Sequence, residues 1–333
     1  MMNGRITLIA AVAMASTLSA STQAQDAPKS PATKHTWALT PDNRLMPIAP
    51  SATPTQAQRP ASLDELNAID AILTQGRYGQ AFDRLQTWFK RYPDSGVRDR
   101  ALLMSADALI GLDERIKAFY YCDELMDRHP ESAFYAAALQ KQYDIADAYL
   151  NGARDTWLGM HLLDRDDEAL EMLFRIQTRS PGSPVSENAM LRSADFYWAH
   201  GDWDFAADAY AAYARTYPRS PRAEQARLRE AYANLAQVRG PVYDPTPIIN
   251  ARATLTELSA SNPDLAKKEN LAEKIQLADR FLARKIFLGA EFYKRTGKKD
   301  AAVSLYKRLI NLYPNLPEAD EARAAVTRLG GTL

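Results

Sequence analysis

The chain has few of the residues on which catalytic, metal-binding and disulfide-bonded proteins depend. It contains one cysteine, Cys122, so no disulfide can form within a single chain. Its four histidines are scattered, and none has a second histidine or a cysteine at the spacing that metal sites use. The formal net charge is zero, with 41 basic and 41 acidic residues, which argues against non-specific binding to nucleic acid.

Motifs of the common enzyme classes are also absent. The sequence has no GxxxxGK[ST] phosphate loop, no GxGxxG after a strand, no GxSxG nucleophile turn and no HExxH metal motif. We therefore expect a protein that is not an enzyme and that uses no cofactor or metal. The alternative hypothesis is an enzyme whose active site lies in the inserted loops.

Long hydrophobic runs are missing except for a short one at the N-terminus. The apolar segment Ile6 to Leu18 follows Arg5 and precedes small residues at Thr22-Gln23-Ala24, which is typical of a secretory signal peptide. The segment is shorter than the roughly 20 apolar residues that span a bilayer. We predict a signal peptide over residues 1–24 and a periplasmic mature protein. Because no cysteine follows this segment, we expect no lipid anchor.

Residues 25–61 are rich in proline. Seven of the 19 prolines lie between Pro28 and Pro60, among Ala, Ser, Thr and Gln. Such a composition favours an extended or disordered linker. The next residues, Ser62-Leu63-Asp64-Glu65, resemble a helix capping box, with Ser62 as the cap.

From residue 62 onward, prolines and alanines recur in a fixed register. The prolines are Pro93, Pro130, Pro181, Pro218, Pro263 and Pro314. Twelve residues before each proline stands an alanine: Ala81, Ala118, Ala169, Ala206, Ala251 and Ala302. Large or apolar residues follow each alanine at spacings of four and seven, which places them on one face of a helix. Each repeat therefore ends in an amphipathic helix that stops at a proline.

A second helix precedes each of these. In three repeats a glycine separates the two helices, at Gly76, Gly201 and Gly297. The unit of helix, turn, helix and proline matches the tetratricopeptide repeat. We predict an all-α, tetratricopeptide-type helical-repeat solenoid over residues 62–330, with about six helix pairs and a capping helix at 317–329. The predicted repeats are 62–94, 97–131, 133–182, 185–219, 222–264 and 267–315.

Two insertions interrupt the register, at Leu150–Leu163 and Arg239–Pro247. Insertions in repeat proteins map to loops, often on a binding face. A neutral insertion is an equally good interpretation of each, so the sequence does not decide whether they function.

One acidic column recurs on the first helix of the repeats. Asp70, Asp107, Asp195 and Glu291 each lie 23 residues before the repeat proline, and Asp147 has the same local context as Asp107. The first helices of such arrays line the concave wall, where partners commonly bind. We predict partner binding there. The predicted binding residues are Asp107, Asp147, Leu191, Asp195, Trp198, Phe287 and Glu291. The alternative is structural: the acids pair with arginines of a neighbouring helix, such as Arg100, Arg192 or Arg284.

The last third of the chain resembles a known family. It is similar to the C-terminal half of BamD-family proteins. The residues that carry the similarity are Gly240-Pro241-Val242-Tyr243-Asp244, Asn262-Pro263, and the segment 277–322, which includes Tyr313-Pro314. This family comprises tetratricopeptide lipoproteins of the outer-membrane β-barrel assembly machinery. The missing lipid-attachment cysteine and the long 150–163 insertion depart from the family.

The resemblance implies a non-catalytic periplasmic scaffold that binds partner subunits or unfolded outer-membrane β-barrel precursors. It also implies protein partners rather than nucleic acid, with peripheral outer-membrane association through those partners. The alternative is a soluble periplasmic tetratricopeptide protein that coordinates cell-wall synthesis or cell division.

Overall fold

The computed structural model describes residues 37–39, 45–47, 58–157, 160–163 and 165–332. The predicted signal peptide, 1–24, and most of the predicted linker, 25–61, lie outside the described residues. The chain divides into two units, residues 1–53 and 54–333. In the first unit the described residues form two short antiparallel strands, β1 (Trp37–Leu39) and β2 (Leu45–Pro47).

The second unit consists of helices and one small hairpin. The helices up to the hairpin are α1 (Gln58–Thr74), α2 (Tyr78–Arg91), α3 (Arg98–Gly111), α4 (Arg115–Arg128) and α5 (Tyr135–Leu150). The hairpin is β3 (Asp155–Trp157) and β4 (Met160–Leu163). The remaining helices are α6 (Asp166–Arg179), α7 (Pro184–His200), α8 (Trp203–Thr216), α9 (Ala223–Ala236), α10 (Thr246–Ser261), α11 (Pro263–Lys268), α12 (Leu271–Arg295), α13 (Lys299–Leu312) and α14 (Pro317–Arg328).

These helices confirm the predicted all-α repeat solenoid. They form six pairs, α1/α2, α3/α4, α5/α6, α7/α8, α9/α10 and α12/α13, and α14 packs on the last pair as a cap. We call the first helix of each pair its A helix and the second its B helix. Each A helix after the first also contacts the B helix before it, and five hydrophobic clusters follow one another along the stack.

The proline register marks the core of every B helix. All six alanines that stand twelve residues before a proline are 0% exposed. The residues four and seven positions later are also 0% exposed: Leu85, Cys122, Leu173, Tyr210, Leu255, Tyr306, Trp88, Leu125, Ile176, Tyr213, Leu258 and Leu309. A side chain as small as alanine lets the facing helix approach closely, while the larger residues fill the layers between. Spacing in the sequence thus identifies three core positions in each repeat.

Glycine permits the tight turn between helices in three repeats. Gly76, Gly201 and Gly297 have φ angles of 73°, 75° and 76°. This left-handed conformation is strained for residues with a β-carbon. The sequence prediction for these three turns is therefore confirmed.

The predicted capping box at Ser62 is wrong. Helix α1 begins four residues earlier, at Gln58, so Ser62 lies inside the helix. Its side chain is buried, and its carbonyl accepts a hydrogen bond of 2.9 Å from the Trp88 indole. Packing against Trp88 therefore decides the position of this serine, rather than a cap.

Three other segments differ from their sequence predictions. The predicted linker, 25–61, contains the paired strands β1 and β2 and the first turn of α1. The 150–163 insertion contains the β3–β4 hairpin. Pro263 ends α10 as predicted and also opens α11, because its fixed φ suits the first helical position and Asn262 caps the new helix.

Candidate partner-binding site

The predicted acidic column lies along one face of the A helices, which we call the A-helix wall. Each acid in the first four repeats pairs with a base on the next A helix. The pairs are Asp70–Arg100, Asp107–Lys141, Asp147–Arg192 and Asp195–Arg229. The predicted pairing with Arg100 and Arg192 is thus present, whereas Arg284 lies 3.8 Å from Glu321 on α14.

These ion pairs do not close the surface. The four carboxylate side chains remain 34% to 48% exposed. Ion pairs of this kind contribute about 0–1 kcal/mol each. They link neighbouring A helices, so the wall presents a row of paired carboxylates and bases.

A small cavity opens on this wall between α7 and α9. Its volume is about 110 Å³. It is lined by Leu191, Asp195, Tyr210, Arg222, Gln225, Ala226 and Arg229. Small-molecule sites usually have volumes of about 300–1,000 Å³. The cavity therefore has room for a single side chain of a partner.

Hydrogen bonds fix the polar floor of this cavity. The Tyr210 hydroxyl donates to the Asp195 carboxylate at 2.5 Å and accepts from Arg229 Nη1 at 2.9 Å. Burial raises the pKa of the Tyr210 phenol, and its bond to Asp195 raises this pKa further. The phenol therefore stays protonated across the physiological range and keeps its donor role.

A second network holds Arg222 at the rim. Oε1 of Glu187 accepts hydrogen bonds from Tyr213, Ser220 and Arg222, at 2.7, 2.7 and 2.8 Å. The hydrogen bonds from Tyr213 and Ser220 lower the pKa of Glu187 most, and Arg222 lowers it further. Glu187 thus remains ionised and positions the guanidinium.

Trp198 contacts the second helix of its own repeat. Its ring lies edge-to-face on Trp203 at 5.3 Å and on Tyr210 at 6.2 Å, between ring centroids. It is half-buried and packs on the core of α7, α8 and α9. Trp198 therefore packs against Tyr210 but does not line the cavity, whereas Leu191 and Asp195 do.

The last two predicted residues form a related cluster on α12. Glu291 accepts a hydrogen bond from Tyr306 and pairs with Lys294 at 2.5 Å. Phe287 lies edge-to-face on Tyr306 at 5.5 Å, with the Arg284 guanidinium 5.1 Å from its ring centre. Tyr306 follows Glu291 by 15 residues, as Tyr210 follows Asp195. Repeats four and six therefore share one tyrosine–carboxylate arrangement.

The predicted residues fall into three places on the wall. Leu191 and Asp195 share the cavity, with Trp198 behind it. Phe287 and Glu291 form the α12 cluster, and Asp107 and Asp147 take part in ion pairs on α3 and α5.

Sequence reasoning missed Tyr210, Arg222, Gln225 and Arg229. A signal for one of them was present: Arg229 follows Asp195 by 34 residues, as Lys141 follows Asp107. This spacing is one repeat period, which brings the two residues to equivalent places on adjacent A helices.

A larger cavity, of about 440 Å³, lies between α4, α5 and α6. Its two arginines, Arg175 and Arg179, both pair with the buried carboxylate of Asp123, at 2.7 and 3.0 Å. Burial raises the pKa of Asp123, although Gln142 and both guanidiniums lower it. Asp123 of α4 thus holds both arginines of α6, and none of the predicted binding residues lines this cavity.

Neither a metal site nor a membrane span emerges from the residues that the structure describes. Within the described ranges, no group of three or more His, Cys, Asp or Glu side chains is placed to hold a metal ion. No described helix combines the length and the apolar character needed to cross a bilayer.

Solved tetratricopeptide structures resemble the chain at low identity. A tetratricopeptide repeat protein from Parabacteroides merdae is 12% identical, with a TM-score of 0.35, covering 78% of this chain and 96% of that one. The C-terminal part of a repeat protein from Cytophaga hutchinsonii is 13% identical, with a TM-score of 0.35 and coverages of 78% and 87%. TTC0263 of Thermus thermophilus is 18% identical, with a TM-score of 0.28 and coverages of 65% and 99%.

Among curated proteins, none matches the sequence. One family model does match, over residues 163–329, half of the chain, and its description is YfiO, outer membrane lipoprotein. The matched segment includes α6 to α14, and with them the α7–α9 cavity and the α12 cluster. The chain therefore belongs to the YfiO family of outer membrane lipoproteins.

Proposed function

We propose that this protein is a non-catalytic periplasmic scaffold of envelope assembly. In this role it resembles BamD and binds partner subunits, unfolded outer-membrane β-barrel precursors, or both. The observation that carries the proposal is the family match over residues 163–329, which contains the cavity between α7 and α9.

The binding surface that we propose is the A-helix wall, centred on Leu191 and Asp195. There Leu191 and Ala226, a partly exposed carboxylate and two arginines surround a space for one side chain. A polypeptide crossing the wall would insert a side chain beside Leu191 and exchange hydrogen bonds with Asp195 and Arg222. Asp107 and Asp147 extend the surface toward the N-terminus, and Phe287 and Glu291 extend it toward the C-terminus.

A substitution that fills the cavity tests this surface. Gln225 is exposed and lines the cavity, so Gln225→Trp adds bulk without removing a core contact. We expect it to weaken capture of a purified, urea-denatured β-barrel precursor at least about tenfold, because an anchoring side chain can no longer enter. Capture is measured by fluorescence anisotropy of the labelled precursor.

The matched control is Asp208→Trp, at an exposed position on α8 away from the cavity lining. Both variants should unfold at the wild-type temperature. If Gln225→Trp captured the precursor as well as the wild type does, the cavity would not be part of the binding surface. If the wild-type protein fails to bind any precursor and co-fractionates with cell-wall enzymes, the alternative role in cell-wall synthesis or division replaces it.

A further inference from the structure

The turn between α12 and α13 carries an unusual concentration of positive charge. Lys294, Arg295, Lys298 and Lys299 lie within six residues, and we call these four residues the basic turn. Arg295, Lys298 and Lys299 are exposed, and none of the three forms an ion pair with a carboxylate among the described residues; the Lys298 ammonium lies 5.9 Å from the centre of the Tyr293 ring. Only Lys294 is neutralised, by Glu291.

The geometry of the turn does not require this charge. The equivalent turn in repeat four has the same left-handed glycine, with φ of 75° at Gly201 and 76° at Gly297. Its two backbone hydrogen bonds are also the same, at 3.2 and 3.0 Å in both turns. Yet the residue after the glycine is Asp202 in repeat four and Lys298 here. One backbone conformation thus accepts either charge.

Two of the lysines are placed against the helix dipole. Lys298 is the N-cap of α13 and Lys299 is its first residue. Cations at a helix N-terminus are unfavourable, because the unpaired N–H groups there carry partial positive charge. Both helices have an aspartate at their second residue, Asp204 in α8 and Asp300 in α13, but the N-cap is Asp202 in α8 and Lys298 in α13. Asp300 offsets part of this effect, but the two lysines do not improve the start of α13, which points to a role outside folding.

An exposed aromatic ring accompanies the basic turn. Phe292 is 53% exposed, in the last turn of α12. A β-carbon added at Gly297 would meet no atom within 4 Å, so the tip of the turn faces open space. Exposed basic residues beside an aromatic ring are the composition that peripheral proteins present to anionic lipid headgroups.

We propose that the basic turn is a docking surface for anionic phospholipid headgroups. A projecting cationic tip can contact a flat anionic surface with several charges at once, whereas an extended peptide ligand needs a groove. Arg295, Lys298 and Lys299 would contact phosphate groups, and Phe292 would enter the headgroup layer. The basic turn is separate from the α7–α9 cavity. The lipid-docking proposal is therefore tested independently of the proposed protein-binding function.

Vesicle co-sedimentation of the full chain tests the proposal. The probes are vesicles of phosphatidylcholine alone and of phosphatidylcholine mixed with phosphatidylglycerol. We expect the wild-type chain to sediment with the mixed vesicles only, and to be released as NaCl rises from about 0.1 to about 0.5 M. Lys298→Glu/Lys299→Glu should weaken this binding at least about 30-fold, since each basic residue near an anionic surface contributes about fivefold.

The matched control is Lys267→Glu/Lys268→Glu, which makes the same charge change at an exposed pair on α11. It should sediment like the wild type. The basic-turn variant should also melt at or above the wild-type temperature, because acids suit the start of α13. Absence of wild-type binding, or equal loss in both variants, would overturn the proposal. The proposal would also be overturned if Lys298→Glu/Lys299→Glu bound vesicles like the wild type but lost chemical crosslinks that the wild type forms with an acidic protein.

Discussion

At the scale of single residues, alanines decide how closely the helices of this solenoid approach. Ala206 is typical: it is fully buried on α8 and belongs to a cluster with Ala194 of α7 and Ala226 of α9. Three alanines from three helices leave no space for a larger side chain. The same position in the other repeats is also a buried alanine, so the close contact recurs along the whole stack.

We expect Ala206→Leu to destabilise the fold by about 1–3 kcal/mol, because three added carbon atoms must displace packed neighbours. The measurement is the urea unfolding midpoint. Ala199→Leu, at an exposed position of α7, is the control and should leave the midpoint nearly unchanged. An unaltered midpoint for Ala206→Leu would mean that α7, α8 and α9 are less closely packed than described.

Cys122 allows a test of burial by chemical reactivity. The thiol lies in the core of α4, and burial raises its pKa to about 12. At pH 8 only about one thiol in ten thousand would then be ionised, and the thiolate is the reactive form. We expect no reaction with a disulfide reagent in the native state and rapid reaction in guanidinium chloride. Fast labelling of native protein would contradict the burial of this helix.

At the scale of elements, hydrogen-bonded carboxylates connect α7, α8 and α9. Glu187 on α7 accepts from Tyr213 on α8 and from Arg222 directly before α9. These bonds lower its pKa, so the stabilisation is complete above the unfolded-state value of about 4.5 and disappears as the pH falls through the lower folded value. The network therefore weakens in acid.

Glu187→Gln should consequently flatten the loss of stability in acid. Between pH 7 and about pH 3, the unfolding free energy of the wild type should fall further than that of the variant, which has no charge to lose. Urea titrations at the two pH values provide the comparison. Glu171→Gln, at an exposed glutamate of α6, should fall as steeply as the wild type. Parallel losses in all three proteins would show that Glu187 does not couple these helices.

How far the sequence predicts these elements depends on whether a repeat period is intact. Where it is intact, spacing identifies buried residues such as Ala206, and even the Asp195–Arg229 pair lies one period apart. The β3–β4 hairpin interrupts the third repeat, so Asp147 and its partner Arg192 are separated by 45 residues. Arg192 is foreseen as a partner of the column, but spacing alone does not identify Asp147 as the acid that it contacts.

Ser62 shows a second limit of sequence patterns. The local motif at Ser62 satisfied a capping rule, but a contact with Trp88, 26 residues away, determines its place. Tertiary packing overrides a local signal in such cases. For the candidate site, the acids were visible as a column, whereas the cavity between them depends on side-chain packing across two helices.

At the scale of the whole molecule, stability in a solenoid passes from repeat to neighbouring repeat. Helix α14 closes the C-terminal end by burying Ala322, Ala325 and Val326 against α12 and α13. Loss of this cap should be felt first by the adjoining pair and least by distant repeats.

We therefore expect Val326→Asp to accelerate amide hydrogen exchange in α12 and α13 while α3 and α4 exchange as in the wild type, because an unpaired charge would be buried at the cap. Hydrogen-exchange mass spectrometry resolves the two regions. Thr327→Asp, at the exposed neighbouring position, is the control. Uniform acceleration along the chain would indicate that the solenoid unfolds as one cooperative unit.

Helix α12 also has a mechanical consequence. With 25 residues it is about 37 Å long, far longer than its neighbours α10, α13 and α14, which have 16, 14 and 12 residues. Its first half packs on α10 through the Arg252–Asp279 ion pair, and its second half packs on α13. A stiff helix that is packed at both ends transmits force along its length. A force applied at the α12–α13 turn would therefore reach α10, across the boundary between the fifth and sixth repeats.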